Sequence, residues 1–203
     1  IFFELYATSL PHFVDFFGVT ETYIKNTITV SVIGYAFGSL VFGVLADFFD
    51  KKRVLVISLC SFMTLSLLTT QITHGIELML IRFTQGILIS AAAIYSRSIV
   101  SHHFSGDKFT VVVLYTSIAY SLGLLLAPPL GGYLQYFMSW QSVFYAYALI
   151  SAAVVIALQL VYQNKTSTES LPAFSHVFIA FKEILANKVF WGASAISGLI
   201  VVV

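Results

Sequence analysis

The sequence predicts an all-α polytopic membrane protein whose helices fall into two triplets, and three observations carry that prediction. Of its 203 residues, 59% are hydrophobic and only 9% charged, with a mean hydropathy of +0.93, whereas roughly a quarter of an average soluble domain is charged. Several apolar runs reach the ~20 residues that a helix needs to cross the hydrocarbon of a bilayer. These runs are apolar nearly all round, whereas the helices of a soluble α/β core keep a polar face. The net charge of +1 supplies no clustered basic face for nucleic acid.

Taken in order, the first helix runs from Ile1 to about Phe17 and carries Glu4 among apolar neighbours. The second, Thr27 to Ala46, is marked by Gly34, Gly38 and Gly43. The third, Val54 to Thr73, holds no charge and contains the single cysteine, Cys60, which reads as a buried packing residue because no disulfide framework is possible. The fourth, Leu78 to Ile99, carries Arg82. The fifth, Thr110 to Leu134, combines Gly123, Pro128, Pro129, Gly131 and Gly132, and the sixth, Val143 to Tyr162, is again uncharged. A polar linker from Gln163 to Ser170 follows and is closed by Pro172. Beyond it Phe174, Val177, Phe178, Phe181 and Leu185 recur at helical spacing, the pattern of an amphipathic helix lying on the inner membrane surface. A seventh membrane helix begins near Val189. The expected division is therefore a transmembrane bundle over 1–162, a cytoplasmic connection over 163–188 and the start of a second bundle over 189–203. The chain is expected to be part of a longer polytopic protein, with no basic region ahead of the first apolar run to suggest a cleavable signal peptide.

Lysine and arginine distribution sets the expected orientation, since short loops rich in them stay cytoplasmic. Lys51, Lys52 and Arg53 sit between the second and third helices, Arg97 and Lys108 flank the junction of the fourth and fifth, and Lys165, Lys182 and Lys188 follow the sixth; the opposite loops hold only Lys25. The amino-terminal side is thereby placed in the cytoplasm.

Comparing the triplets assigns roles. An ionisable group in hydrocarbon costs at least ~2.5–3.5 kcal/mol on insertion scales, so the first members, with Glu4 and Arg82, should line an interior pathway. The glycine-rich second members should pack against another bundle, because small residues let backbones approach. The uncharged third members should face lipid. A carboxyl such as Glu4 can take up and release a proton as its surroundings change. Arg82 and Gln85, three apart on one helical face, should tune a carboxylate or hold the fourth helix against the first or second. Arginine keeps its own proton in practice.

Four segments then resemble a known family. Gly43-x-Leu45-Ala46-Asp47-x-x-x-Lys51-Lys52-Arg53 resembles the loop motif between helices two and three of the major facilitator superfamily, with Asp50 standing where that pattern has glycine. Arg82-Phe83-Thr84-Gln85-Gly86 is similar to its helix-four signature, and Gly123 to Gly132 is similar to the antiporter motif of its drug:proton branch. Glu4-Leu5-Tyr6-Ala7-Thr8-Ser9-Leu10-Pro11 resembles the helix-one motif of the twelve-helix, Bcr/CflA-type members of that branch. The resemblance implies the amino-terminal six-helix half of the major facilitator fold, built as a three-plus-three inverted repeat, plus the start of helix seven. It further implies a monomeric, multi-pass transporter of the inner (plasma) membrane, not an enzyme, which couples export of small lipophilic compounds or drugs to protons. In that scheme Glu4, Arg82 and Gln85 serve proton coupling, and Gly43, Asp47, Lys51, Lys52 and Arg53 latch the cytoplasmic ends of the two halves. Gly123, Pro128, Gly131 and Gly132 shape the interface between them, and Tyr6, Tyr35 and Tyr115 are candidates for the substrate cavity.

No spacing suggests a metal site, no glycine loop suggests a nucleotide, and no cofactor is expected; the partners are a small-molecule substrate, protons and the lipid bilayer. Two other readings share the residues: an uptake symporter or specific metabolite or siderophore exporter of the same fold, and a membrane sensor or scaffold that does not transport.

Overall fold

The computed structural model describes residues 2–46 and 48–161. Among them are seven helices and no strand: α1 (Phe2–Ala7), α2 (Leu10–Phe17), α3 (Glu21–Leu45), α4 (Lys51–Thr69), α5 (Gly75–His103), α6 (Gly106–Phe137) and α7 (Gln141–Val161). The last five are each long and apolar enough to cross a membrane, while α1 and α2 share the place of the expected first helix. Asp47, the connection over 163–188 with its amphipathic helix, and the start of the seventh helix over 189–203 lie outside the described residues.

Helices α3 to α7 all begin earlier than apolarity alone suggests. Hydropathy marks the stretch that meets hydrocarbon, whereas polar caps decide where a helix starts. The Thr20 side chain accepts the Tyr23 N–H at 3.3 Å at the start of α3, and Asp50 Oδ1 accepts the Arg53 N–H at 2.8 Å at the start of α4. Lys51, Lys52 and Arg53 therefore form the first turn of α4 rather than a loop. The positive end of the helix dipole disfavours cations there, and the Asp50 carboxylate offsets it. Asp50 is thus a cap, which explains an acid at a place where the resembling pattern has glycine.

The first helix is broken, not continuous. Pro11 has no N–H to give the Ala7 carbonyl, and α1 ends at Ala7. Thr8 turns its hydroxyl back onto the Leu5 carbonyl at 2.8 Å, and the Ser9 N–H bonds the Tyr6 carbonyl at 2.9 Å. Helix α2 restarts with Pro11 in its first turn and ends on Gly18 in the left-handed conformation, φ 62°.

Packing is closest between α3 and α5. A Cβ on Gly34 would collide with the Phe83 carbonyl, one on Gly38 with Ser90 Oγ and the Ile87 backbone, and one on Gly86 with the Ser31 carbonyl and, at 2.9 Å, the Tyr35 nitrogen. Glycines from both helices thus interlock at one crossing. This corrects the expectation that the glycine-rich second helix packs against another bundle, since Gly34 and Gly38 are consumed inside this one. The uncharged third members are corrected likewise. Helices α4 and α7 pack on each other, and Phe62, Val143, Phe144 and Tyr147 join Phe2, Leu5, Tyr6 and Phe13 in the main core. Only their outer faces, with Ile57, Leu68, Leu149 and Leu160, are exposed. Helix α6 is the exception, burying only Ala127 and Gly131.

Candidate functional site

The candidate site lies behind the first turn of α1, where side chains of α5, α4, α3 and α7 converge. Arg82 of α5 is wholly buried. Its guanidinium carbon lies 3.4 Å from the Tyr6 ring centroid, 4.6 Å from that of Phe2 and 5.9 Å from that of Phe144. A cation over aromatic faces away from water gains about 2 kcal/mol or more. Arg82 Nη1 donates to Gln85 Oε1 at 3.1 Å, Gln85 Nε2 to Ser66 Oγ at 3.2 Å, and Ser66 Oγ to the Phe62 carbonyl at 2.8 Å. The expected pairing of Arg82 and Gln85 on one face is therefore present, and it continues as a polar ladder into α4. Arg82 Nε and Nη2 have no hydrogen-bond acceptor among the described residues.

Helix α1 is held by the same group. Phe2 and Tyr6 are one turn apart and both lie under Arg82. The Thr27 hydroxyl donates to the Ile24 carbonyl at 2.6 Å, so Tyr6 donates to Thr27 Oγ1 at 2.7 Å. From α7, Tyr147 Oη donates to the Phe2 carbonyl at 2.6 Å. Glu4 sits two residues from each of these rings, about 200° around the helix, and its side chain is exposed. The backbone of α1 thus stands between Glu4 and Arg82. The expectation that both charges line one interior pathway is corrected for Arg82: aromatic rings and an amide enclose the guanidinium, and no carboxylate among the described residues is within ion-pair distance of it. Through those rings Arg82 of α5 touches α1.

Tyr6 is a second correction. One face of its ring carries the guanidinium, its hydroxyl is bonded, Phe13 stacks on it at 5.1 Å, and none of it is exposed. It is a core residue and not a cavity wall. Tyr35 is half-buried, and Tyr115 on α6 is 70% exposed. A cavity of about 510 Å³ does open beside the break of the first helix, with Ala7, Leu10, Pro11 and Val14 as its apolar side and Asp15, Glu21 and Lys25 as its polar side. None of the three tyrosines lines it.

The other two motifs divide similarly. Gly43 has open space around it, Lys51 and Lys52 are half-buried, Arg53 is exposed, and Asp47 is outside the described residues. In α6, Ala127 and Gly131 face α1, where a Cβ on Gly131 would strike the Thr8 hydroxyl and come within 3.1 Å of the Leu5 carbonyl. Pro128, Pro129 and Gly132 are exposed, Gly123 is half-buried, and the helix runs unbroken through both prolines.

Sequence reasoning missed Phe2, Thr27, Ser66, Phe144 and Tyr147. Two signals were available. Phe2 and Tyr6 bracket Glu4 at the spacing of one turn, and Thr27 and Ser66 are hydroxyls set in apolar helices, where each needs a partner.

The profile of the Major Facilitator Superfamily matches residues 1–203. The chain is 31% identical over 182 residues to the chloramphenicol resistance protein CraA of Acinetobacter baumannii, covering 87% of this chain and 43% of that protein. It is 26% identical over 147 residues to a bicyclomycin resistance protein homolog of Haemophilus influenzae, covering 72% and 37% respectively. To the multidrug resistance protein MdtL of Klebsiella pneumoniae it is 24% identical over 169 residues, covering 83% and 43%. The chain thus spans less than half the length of each of these curated relatives.

Proposed function

From the premise that this chain belongs to the major facilitator superfamily, we propose that it forms the amino-terminal half of a proton-coupled antiporter that exports small lipophilic compounds from the cytoplasm by alternating access. Resistance proteins among its relatives support the export of toxic small molecules. Residues 1–162 supply the first bundle, 163–188 a cytoplasmic connection, and 189–203 the entry to the second bundle. The outer membrane leaflet receives the Glu21 end of α3, and the cytoplasm the end with Lys51, Lys52 and Arg53, in keeping with the positive-inside rule.

One observation carries the reading: the charge of Arg82 is locked inside the bundle, while Glu4 is exposed on the far face of α1. An arginine so enclosed holds structure, and Glu4, the exposed acid of α1, meets protons and substrate. Its carboxylate takes a proton from the outer side and returns it on the inner side. Because a ligand shifts an equilibrium only through unequal affinity for the two states, proton and substrate competing for one face of α1 drive the exchange. Asp47 with Lys51, Lys52 and Arg53 closes the inner ends of the halves, and Pro128 and Gly132 meet the second half across α6.

The test is Glu4→Gln in the complete transporter reconstituted in vesicles. Uptake driven by a pH gradient is expected to vanish, whereas substrate counterflow without a gradient persists. Proton-driven transport at the wild-type rate would remove Glu4 from the mechanism.

A further inference from the structure

Glu4 is presented by a helix that is cut from its continuation after Ala7 and held from behind. Helix α1 ends at Ala7, and α2 restarts at Leu10. Its grip on the bundle therefore does not rest on an unbroken helix running into α2. Beside the close approach of α6 at Gly131, it has three contacts on the face opposite Glu4: Arg82 over the Phe2 and Tyr6 rings, the Tyr6 hydroxyl on Thr27, and the Tyr147 hydroxyl on the Phe2 carbonyl at 2.6 Å.

The third differs in kind, because it fastens the backbone of α1 and not a side chain. A carbonyl oxygen has two lone pairs, so that of Phe2 can hold the Tyr147 proton and still serve the helix. Tyr147 is 4% exposed, and its ring is packed by Phe2 at 5.3 Å, Phe144 at 5.9 Å and Phe62 at 6.0 Å. Those rings fix the place of the hydroxyl, and the hydroxyl fixes the height and rotation of the turn that carries Glu4 two residues on. None of the four sequence motifs contains Tyr147.

We propose that Tyr147 is a positioning residue for proton coupling: its bond to the Phe2 carbonyl holds the first turn of α1 so that the Glu4 carboxyl meets proton and substrate at one place. The inference rests on the reading that Glu4 carries the proton. A carboxyl that drifts exchanges protons without exchanging substrate, since proton transfer works only at hydrogen-bond reach. Loss of the tether therefore uncouples the transporter without blocking the substrate path.

The experiment uses the complete transporter in vesicles, with Tyr147→Phe, which removes one oxygen and keeps the packed ring, and with para-aminophenylalanine at position 147, which restores a donor. Tyr147→Phe is expected to lower pH-driven transport about 10-fold, the scale of a small misplacement of a reacting group, with counterflow unchanged. The amino analogue is expected to recover most of the loss. Hydrogen exchange should quicken at the amides of α1 in Tyr147→Phe and nowhere else in the bundle. Wild-type coupling in Tyr147→Phe would overturn the proposal. So would an equal fall in driven transport and counterflow, or a variant that no longer folds, because either assigns the hydroxyl to stability alone. Glu4→Gln separates the two claims. If it keeps coupling, the reading of Glu4 fails whatever Tyr147 does; if it abolishes coupling while Tyr147→Phe is normal, only the positioning role fails.

Discussion

Arg82 survives in the apolar centre of the bundle because its shape is matched as well as its charge. Burying the cation costs ~2.5–3.5 kcal/mol even on insertion scales. Ring contacts contribute about 2 kcal/mol, and a hydrogen bond to a charged group contributes ~1.5–3 kcal/mol. Both depend on a flat guanidinium lying over Tyr6 while one edge reaches Gln85. Lysine would keep the charge and lose the plane. Arg82→Lys is therefore expected to lower the stability of the detergent-solubilised transporter by about 1–2 kcal/mol, read as a fall in Tm by tryptophan fluorescence, and to weaken driven transport. An unchanged Tm would mean that charge alone is recognised. The neighbourhood of this residue was half legible in the sequence. Its partnership with Gln85 follows from a separation of three on one helix, a local property. Its ring partners on α1 and α7 do not, because contacts between helices far apart in the chain depend on how those helices are rotated. Charge alone puts Glu4 and Arg82 on one pathway, although the phase of Phe2 and Tyr6 around the helix turns Glu4 away.

At the level of elements, apolar length revealed which segments are helices, and polar caps revealed only on inspection where they begin. Thr20 and Asp50 are ordinary cap residues, yet each lies outside the apolar run and so adds turns that hydropathy does not see. The break after Ala7 was foreshadowed by Pro11 in the same way: one missing N–H four residues on leaves a carbonyl that the helix cannot serve. The glycines carried a true signal of close approach but not of partner. Among them, Gly86 and Gly43 make a matched contrast. A methyl at Gly86 would meet backbone atoms of Ser31 and Tyr35, which cannot rotate away, whereas a methyl at Gly43 meets nothing within 4 Å. Gly86→Ala is expected to cost ~1–3 kcal/mol through forced separation of α3 and α5, with less folded protein recovered from membranes. Gly43→Ala is expected to be neutral or stabilising by up to ~1 kcal/mol through helix propensity. Equal thermal melts for the two variants would show that the crossing is looser than the glycines imply.

On the scale of the whole molecule, the bundle is finished on one side and unfinished on another. Helix α6 leaves Leu114, Tyr115, Ile118, Leu122 and Leu125 exposed, far more apolar surface than water tolerates on one helix. Lipid or a second bundle would cover it, and the proposed alternating access needs an end that opens outward and an end that opens inward. Which end is which can be read from α3, whose 25 residues span ~37 Å from Glu21 to the turn that leads into Arg53. Both residues are exposed, and the Glu21 pair with Lys25 is a surface contact worth little, so a cysteine at either place should not disturb folding. With Cys60→Ala as background, Glu21→Cys is expected to react with a membrane-impermeant maleimide added to intact cells. Arg53→Cys is expected to react only after the membrane is opened. The reverse pattern would turn the bundle over, put Lys51, Lys52 and Arg53 outside, and convert the proposed direction of transport from export to uptake without altering a single packing contact described above.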